Sequence, residues 1–308
     1  GEDGQLQAIL SARKLAYTGS GPGACRLAFD KRVSKNVFIA AGIRTPKAIE
    51  FNGKTNARQL RDELAYIADK FVVKPAKQGS SVGISIVEGA KATVKAARRC
   101  FKKFGNCIIE QYIAGREITV GILNGQGLPI IEIRSATGFY DYKAKYLDRR
   151  TEFLFDTIKD DHTRAEIARL GLKCFKALTC LAFTRVDFIL ADDGRLYALE
   201  LNTTPGFTEH SLLPKAAERA DIPMPQLCLS IVKAALESRP TMLQRKMPGN
   251  MTVIKAQVPL AEVSNYDSSL KSVTGGQGSY SMTLSHYEQV PSNVQQQVVA
   301  QYAKKSSE

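Results

Sequence analysis

Between Phe183 and Asn202 the chain reads FTRVDFILADDGRLYALELN, and four of its side chains offer a definite chemistry. Two apolar runs flank Asp193-Gly194, the pattern of a β-hairpin closed at that pair. With those two residues as the turn, Asp192 faces Arg195, Asp187 faces Glu200 and Arg185 faces Asn202. Residues two apart on a strand share a face, so Arg185, Asp187, Glu200 and Asn202 are expected to project from one side. Two carboxylates opposed on such a face repel each other, and a divalent cation between them removes that cost. Donors that are all oxygen, from Asp187, Glu200 and Asn202, suit magnesium or manganese better than zinc. Arg185 beside them can hold a phosphate or a carboxylate through both arms of its guanidinium. The hairpin alone also allows an exposed polar face tied by an Arg–carboxylate salt bridge.

A second stretch, VVKPAKQGSSVG from Val72 to Gly83, ends an apolar strand on Lys74 and continues into a small loop of glycine and serine. A lysine at a strand end can place its ammonium on phosphate oxygens as a point charge. The loop from Gly79 to Gly83 can approach phosphate closely, because glycine permits the required backbone angles. The glycine-rich Walker pattern ending in Gly-Lys-Ser or Gly-Lys-Thr does not occur. Alone, the loop reads equally well as an ordinary hairpin turn. Lysine, loop and cation ligands together describe a site for a nucleoside triphosphate.

These residues need a scaffold. RQLRDELAYIADK has the spacing of an amphipathic helix ahead of a strand at Phe71–Lys74, and GISIVEG predicts a second strand beyond the loop. GAKATVKAARRCFKKFG predicts a helix closed by Gly105. Strands are expected at Cys107–Ile113, Arg116–Leu123 and Leu128–Arg134, then a loop, GFYDYKAKY, a helix at Asp160–Leu178, and strands at Ala182–Leu190 and Leu196–Leu201. Two helices run from there to about Ser238. RPTMLQRKMPGN, with two prolines and a glycine, reads as a linker, and MTVIKAQVPLAEV restarts as a strand pattern.

Composition narrows the class. The chain has 308 residues, 44% hydrophobic and 24% charged, as in globular proteins. No apolar run approaches the roughly 20 residues of a membrane span, and the first residues, GEDGQLQAIL, lack the basic and apolar regions of a secretory signal. A chain that opens on Gly1 reads as a fragment. The six cysteines form no CxxC pair and are expected to be buried, reduced thiols of a cytoplasmic protein. Of the three histidines none lies near a cysteine at zinc-ligand spacing. A net charge of +13 favours anionic partners, although KAARRCFKK reads as a solvated helix face.

The runs GEDGQLQ, YTGSGPGACRLAFDK, AAGIRTP, VVKPAKQGSSVGIS, IIEQYIAGREITVGIL, LPIIEI, FYDYKAKY, TRVDFIL and LELNTTPGFTEHSLLPKAA occur in that order from Gly1 to about Ser238. In this the chain resembles the ATP-grasp carboxylate–amine ligases, most closely the D-alanine–D-alanine ligases. The resemblance implies an α+β ATP-grasp fold, two sheet-containing subdomains gripping ATP. It divides the chain into a remnant of an N-terminal α/β domain (1–30), a small subdomain (31–122), a large subdomain with the metal site (123–239), a linker (240–250) and a tail (251–308). It implies that Lys31 and Lys74 contact ATP phosphates, supported by Lys145. Glu110, Ile113 and Glu117 would hold adenine and ribose, and Asp187, Glu200 and Asn202 two magnesium or manganese ions. Arg185 and the Gly206 amide would stabilise the oxyanion, Ser80 and Tyr146 would fix the loop and the first substrate, and Ser211 and Leu212 would meet the carboxylate of the second D-alanine. The implied reaction joins two D-alanines through an acyl phosphate, for peptidoglycan precursors, under a lid that excludes water.

The pattern also departs from the family. GEDG ends the family's N-terminal domain, which normally carries a glutamate on the first D-alanine's amine and the side through which the ligase commonly dimerises. A chain beginning there is expected to have an open first-substrate pocket and to be monomeric. The absent domain also leaves open a chain that binds ATP without turnover, while LDRRTEFLFDTIKDD and Glu209, which differ from the usual residues, leave open another acceptor, D-lactate included. The tail, VIKAQVPLAEVSNYDSSLKSVTGGQGSYSMTLSHYEQVPSNVQQQVVAQY, resembles about half of the ferredoxin-like last domain of bacterial elongation factor G. It implies no GTPase, and a ribosomal partner only through that tail.

Overall fold

The structure is a computed structural model, and it describes residues 2–134, 151–238, 270–271 and 278–282. The chain divides into two units, Gly1–Met242 and Leu243–Glu308. All elements named below lie in the first.

Three helices open the unit: α1 (Gln5–Ala12), α2 (Pro22–Phe29) and α3 (Lys31–Ala40). Asp30 starts α3, its carboxylate accepting the Arg32 amide at 3.1 Å, the usual way to satisfy an orphan donor of the first turn. A four-stranded antiparallel sheet follows, built from β1 (Ala48–Phe51), β2 (Lys70–Pro75), β3 (Ser85–Glu88) and β4 (Cys107–Gln111) in the order β1-β4-β2-β3. Helices α4 (Ala57–Ile67) and α5 (Ala90–Phe104) cover one face, and Leu60, Leu64, Phe71, Val73, Ala97 and Ile109 form the core between. Alternation along β2 and β4 sends Lys74 and Glu110 to the opposite face. As expected, α5 ends at Gly105.

The second sheet has six strands: β5 (Gly115–Leu123), β6 (Gln126–Gly127), β7 (Ile131–Arg134), β8 (Glu152–Phe155), β9 (Phe183–Ala191) and β10 (Leu196–Asn202). Their order is β10-β9-β5-β7-β8, with β6 beside β5. Ile118, Val120, Ile122, Val186 and Phe188 face α6 (Asp161–Ala177) through Ile167 and Cys174. On the other face α7 (Leu212–Arg219) and α8 (Met224–Ser238) pack Leu213, Ala216 and Leu227 on Leu123, Ile131 and Phe183. Burying a side chain such as Phe188 contributes about 1.5–3 kcal/mol at most. Where α7 ends, the same face is left to Glu117, Thr119, Arg185 and Asp187. Gly115 lets β5 meet β9 closely: its φ is +150°, and a Cβ there would stand 2.3 Å from the Leu190 carbonyl oxygen.

Three expectations are corrected. The strand expected at Leu128–Arg134 begins only at Ile131, since Pro129 has no N–H for the ladder. Cys228 is exposed, whereas the other five cysteines are buried; all six are free thiols. The hairpin turn is longer than a two-residue turn. The Ala191 amide donates to the Arg195 carbonyl and Gly194 to Ala191, so Asp192, Asp193 and Gly194 form a three-residue loop with Gly194 at φ +79°. Pairing near the turn is therefore one residue off, with Leu196 opposite Leu190 and Ala198 opposite Phe188. A bulge between Ala198 and Glu200 restores the expected register. Ala198 and Leu201 both enter the core, and Glu200 and Asn202 stand opposite Asp187 and Arg185. Had the register near the turn continued without a bulge, Glu200 would have paired with Val186 and pointed into the core. Among the described residues, no helix is long and apolar enough to cross a membrane.

Candidate active site

Two cavities share Lys31, Gln78 and Glu200. The smaller, about 340 Å³, is lined by Val72, Lys74 and Glu110 of the first sheet, by Ile113 in the connection, and by Glu117 and Asp187 of the second. The larger, about 440 Å³, is lined by Ser80, Arg185, Asn202, Gly206, Ser211 and Leu212.

At the four-stranded sheet's wall one carboxylate meets two ammonium groups, one from the sheet and one from α3 behind it. Lys74 and Glu110 are diagonal neighbours on β2 and β4, and the Lys74 ammonium lies 2.8 Å from one Glu110 oxygen. The Lys35 ammonium, from α3, lies 2.9 Å from the other. Burial pushes the Glu110 carboxyl up, but Lys35 and Lys74 outweigh it and hold its pKa below the usual value. Burial pulls the Lys35 ammonium down, and Glu110 compensates only in part.

The opposite wall carries the opposed pair Asp187 and Glu200. Arg185 donates from Nε and Nη2 to the two oxygens of Asp187 at 2.9 and 3.0 Å, and Thr119 Oγ1 donates to Asp187 Oδ1 at 2.6 Å. Lys31 lies 3.2 Å from Glu200 and donates to the Gln78 carbonyl at 2.8 Å. The Asn202 amide oxygen accepts from the Thr204 amide at 3.0 Å. Among the described residues no three His, Cys, Asp or Glu side chains gather as metal ligands. The donor set here is two carboxylates and an amide on one face, which suits a hard, oxygen-seeking cation whose other ligands are phosphates and water. Arg185 lines the larger cavity and Asp187 the smaller, so their ion pair straddles the boundary.

The loop after β2 crosses that boundary too: Ser80 lines the larger cavity, Ser81 and Val82 the smaller. Ser80 and Ser81 hold φ of +54° and +57°, a left-handed conformation that costs a non-glycine residue about 1–2 kcal/mol. Ser211 precedes α7 without a capping bond, its hydroxyl instead accepting the Thr208 amide at 3.0 Å. Lys145 and Tyr146 lie outside the described residues.

Four contributors were not read from the sequence. Lys35 was signalled by its spacing, one helical turn after Lys31. Thr119 meets Asp187 only through the pairing of β5 with β9, which no local pattern shows. Glu132 lines the smaller cavity and accepts from Arg116 Nε at 3.1 Å and Arg134 Nη2 at 3.0 Å. Burial pushes its carboxyl up, but bonds from Arg116, Thr157 and Arg134 prevail and hold it at about 2. Glu2 lines the larger cavity beside Gly79, where an added Cβ would stand 2.6 Å from its Oε2.

Comparison with known proteins gives the arrangement a lineage. Residues 37–233 match the family described as D-ala D-ala ligase C-terminus. Residues 217–298 match the family described as elongation factor G C-terminus, overlapping the first match. The D-alanine–D-alanine ligase of Bordetella petrii is 38% identical over 239 residues, covering 76% of this chain and 72% of that relative. The D-alanine–D-alanine ligase of Bacillus anthracis, solved in complex with ATP, superposes with a TM-score of 0.67 at 33% identity, over 78% of this chain and 76% of that one. A D-Ala:D-Ser ligase of Enterococcus faecalis superposes with a TM-score of 0.69 at 27% identity, over 76% and 69%. With two sheets facing each other across the cavities, Lys74 and Glu110 on one and the opposed Asp187 and Glu200 on the other, this chain belongs to the D-alanine–D-alanine ligase family.

Proposed function

We propose that the chain is an ATP-dependent ligase that joins two D-alanines for peptidoglycan precursors. The observation that carries this is the pair of cavities meeting at Lys31, Gln78 and Glu200. ATP fits the smaller cavity, its adenine and ribose near Glu110, Ile113 and Glu117 and its phosphates toward Lys74 and Lys31. The amino acids fit the larger. The phosphoryl group leaves ADP for one D-alanine carboxylate and forms an acyl phosphate. The amine of the second D-alanine attacks that carbonyl, the C–O bond breaks with its electron pair on the departing phosphate, the amine's proton passes to phosphate or solvent, and an amide remains.

Asp187, Glu200 and Asn202 would hold two magnesium or manganese ions, which neutralise phosphate charge in such transfers. The protein's own groups position and stabilise. Lys74 and Lys31 bind phosphate oxygens, with Lys145 assigned to the same end. Arg185, at the cavity boundary, and the Gly206 amide face the charge that develops on the attacked carbonyl. Ser80 and Tyr146 fix the loop over the first substrate, while Ser211 and Leu212 receive the second carboxylate. Exclusion of water protects the acyl phosphate.

The test is ADP release by the full chain with Mg-ATP, with and without D-alanine, together with dipeptide analysis. ADP and dipeptide that both depend on D-alanine support the ligase, and a chain that binds no ATP refutes it. A second acceptor is favoured by the D-Ala:D-Ser neighbour and by Glu209, beside cavity residues His210 and Ser211. Turnover with D-alanine, D-serine and D-lactate compared side by side decides between them. We place the chain in the cytoplasm, in keeping with its six free thiols. A ribosomal partner is assigned to the tail alone, and salt-dependent co-sedimentation with ribosomes checks it.

A further inference from the structure

Lys35 stands behind the phosphate-facing wall. It lies one turn after Lys31 on α3, so both ammonium groups leave the helix on one side. They end on different sheets: Lys31 lies 3.2 Å from Glu200 of β10, and Lys35 lies 2.9 Å from Glu110 of β4. Lys74 takes the other Glu110 oxygen at 2.8 Å. Glu110 and Lys74 line the smaller cavity, and Lys35 is not among its lining residues. The three side chains are only 3% (Glu110), 4% (Lys35) and 7% (Lys74) exposed.

A carboxylate so deeply buried requires a counter-charge, and stripping one partner from a buried ion pair costs about 3–5 kcal/mol. If Lys74 were its sole partner, Glu110 would retain that ammonium in the wall. A phosphate drawing Lys74 outward would leave the carboxylate bare. Lys35 alters this balance because it neutralises Glu110 from the side away from the cavity. Two ammonium groups on one carboxylate also repel each other, which favours release of the one with somewhere to go. We propose that Lys35 is a positioning residue: it keeps Glu110 neutralised, so that Lys74 is free to turn to the phosphates of a bound nucleotide. This rests on the reading of the smaller cavity as the nucleotide site.

The experiment measures equilibrium binding of ADP and adenosine to the full chain by titration calorimetry, without divalent cation. In Lys35→Met, ADP affinity is expected to fall by about tenfold or more while adenosine affinity stays within about twofold. Lys35→Arg should restore most of the ADP affinity. Lys35→Met/Glu110→Gln should restore the ADP-to-adenosine ratio, since no carboxylate then retains Lys74. A purely structural role for Lys35 predicts a lower melting temperature with equal losses for both ligands, and that result overturns the proposal. So does an unchanged ADP-to-adenosine ratio in Lys35→Met. Should Lys35→Met fail to fold, Lys35→Gln and the double variant give the same comparison. A wild-type chain that binds ADP no better than adenosine overturns the nucleotide site itself, and the inference with it.

Discussion

The two walls of the smaller cavity treat buried charge in opposite ways. At the four-stranded sheet one carboxylate, Glu110, is shared by two ammonium groups, Lys74 of β2 and Lys35 of α3, leaving a surplus positive charge. On the six-stranded sheet Asp187 and Glu200 stand opposite each other, with Arg185 on Asp187 and Lys31 near Glu200. A cationic surplus attracts phosphate. Paired carboxylates hold a divalent cation, and one of their present partners, Lys31, comes from a helix rather than from the sheet. A nucleotide carried with its metal needs both kinds of wall, and neither sheet supplies both.

The division can be attacked from either side. Asp187→Asn removes a charge from the carboxylate wall and is expected to lower turnover about 10²–10³-fold, and to lower the melting temperature as well, because Arg185 loses its buried partner; full turnover would show that the opposed carboxylates are incidental. Lys74→Met removes the surplus on the other wall. It should weaken ADP binding about tenfold or more while sparing adenosine, and equal losses for both would erase the distinction between the walls. A gentler effect is expected from deleting Leu199. The deletion removes the bulge's extra residue yet leaves Glu200 opposite Asp187 in a regular ladder, so turnover should survive where Asp187→Asn loses it. The smallest effect concerns Glu132, whose carboxyl is held at about 2, below its ordinary 4.5. A depressed carboxylate contributes stability above its unfolded pKa, and that contribution fades as pH falls from about 4.5 toward 2. Urea midpoints of wild type and Glu132→Gln should therefore differ near neutral pH and converge toward pH 2; parallel curves would mean that Arg116 and Arg134 add nothing.

Much of the site was legible because its chemistry is written locally. Asp187, Glu200, Arg185 and Asn202 lie on one hairpin, where alternation decides the face. The register expected from a two-residue turn nevertheless met the site for a different reason, since a three-residue loop and a bulge cancel. Both are backbone adjustments that alternation does not encode. Lys74 was readable as a strand-end lysine, whereas its partner Glu110 was read as a nucleotide contact rather than as an ion-pair partner of two lysines. That pairing depends on β2 lying beside β4, across the whole of β3 and α5.

By itself the sequence determined most of the elements from α4 onward, the family resemblance and the inventory of charged and oxygen-bearing side chains, because periodicity and motif order are properties of neighbouring residues. Only the tertiary structure decided how those charges are matched. It brought Lys35 from α3 behind Glu110, Thr119 from β5 onto Asp187, and Lys31 onto Glu200. The physical reason is burial: a charge removed from water must be compensated by whatever the fold brings within a few ångströms, and such partners come from segments far apart in the chain.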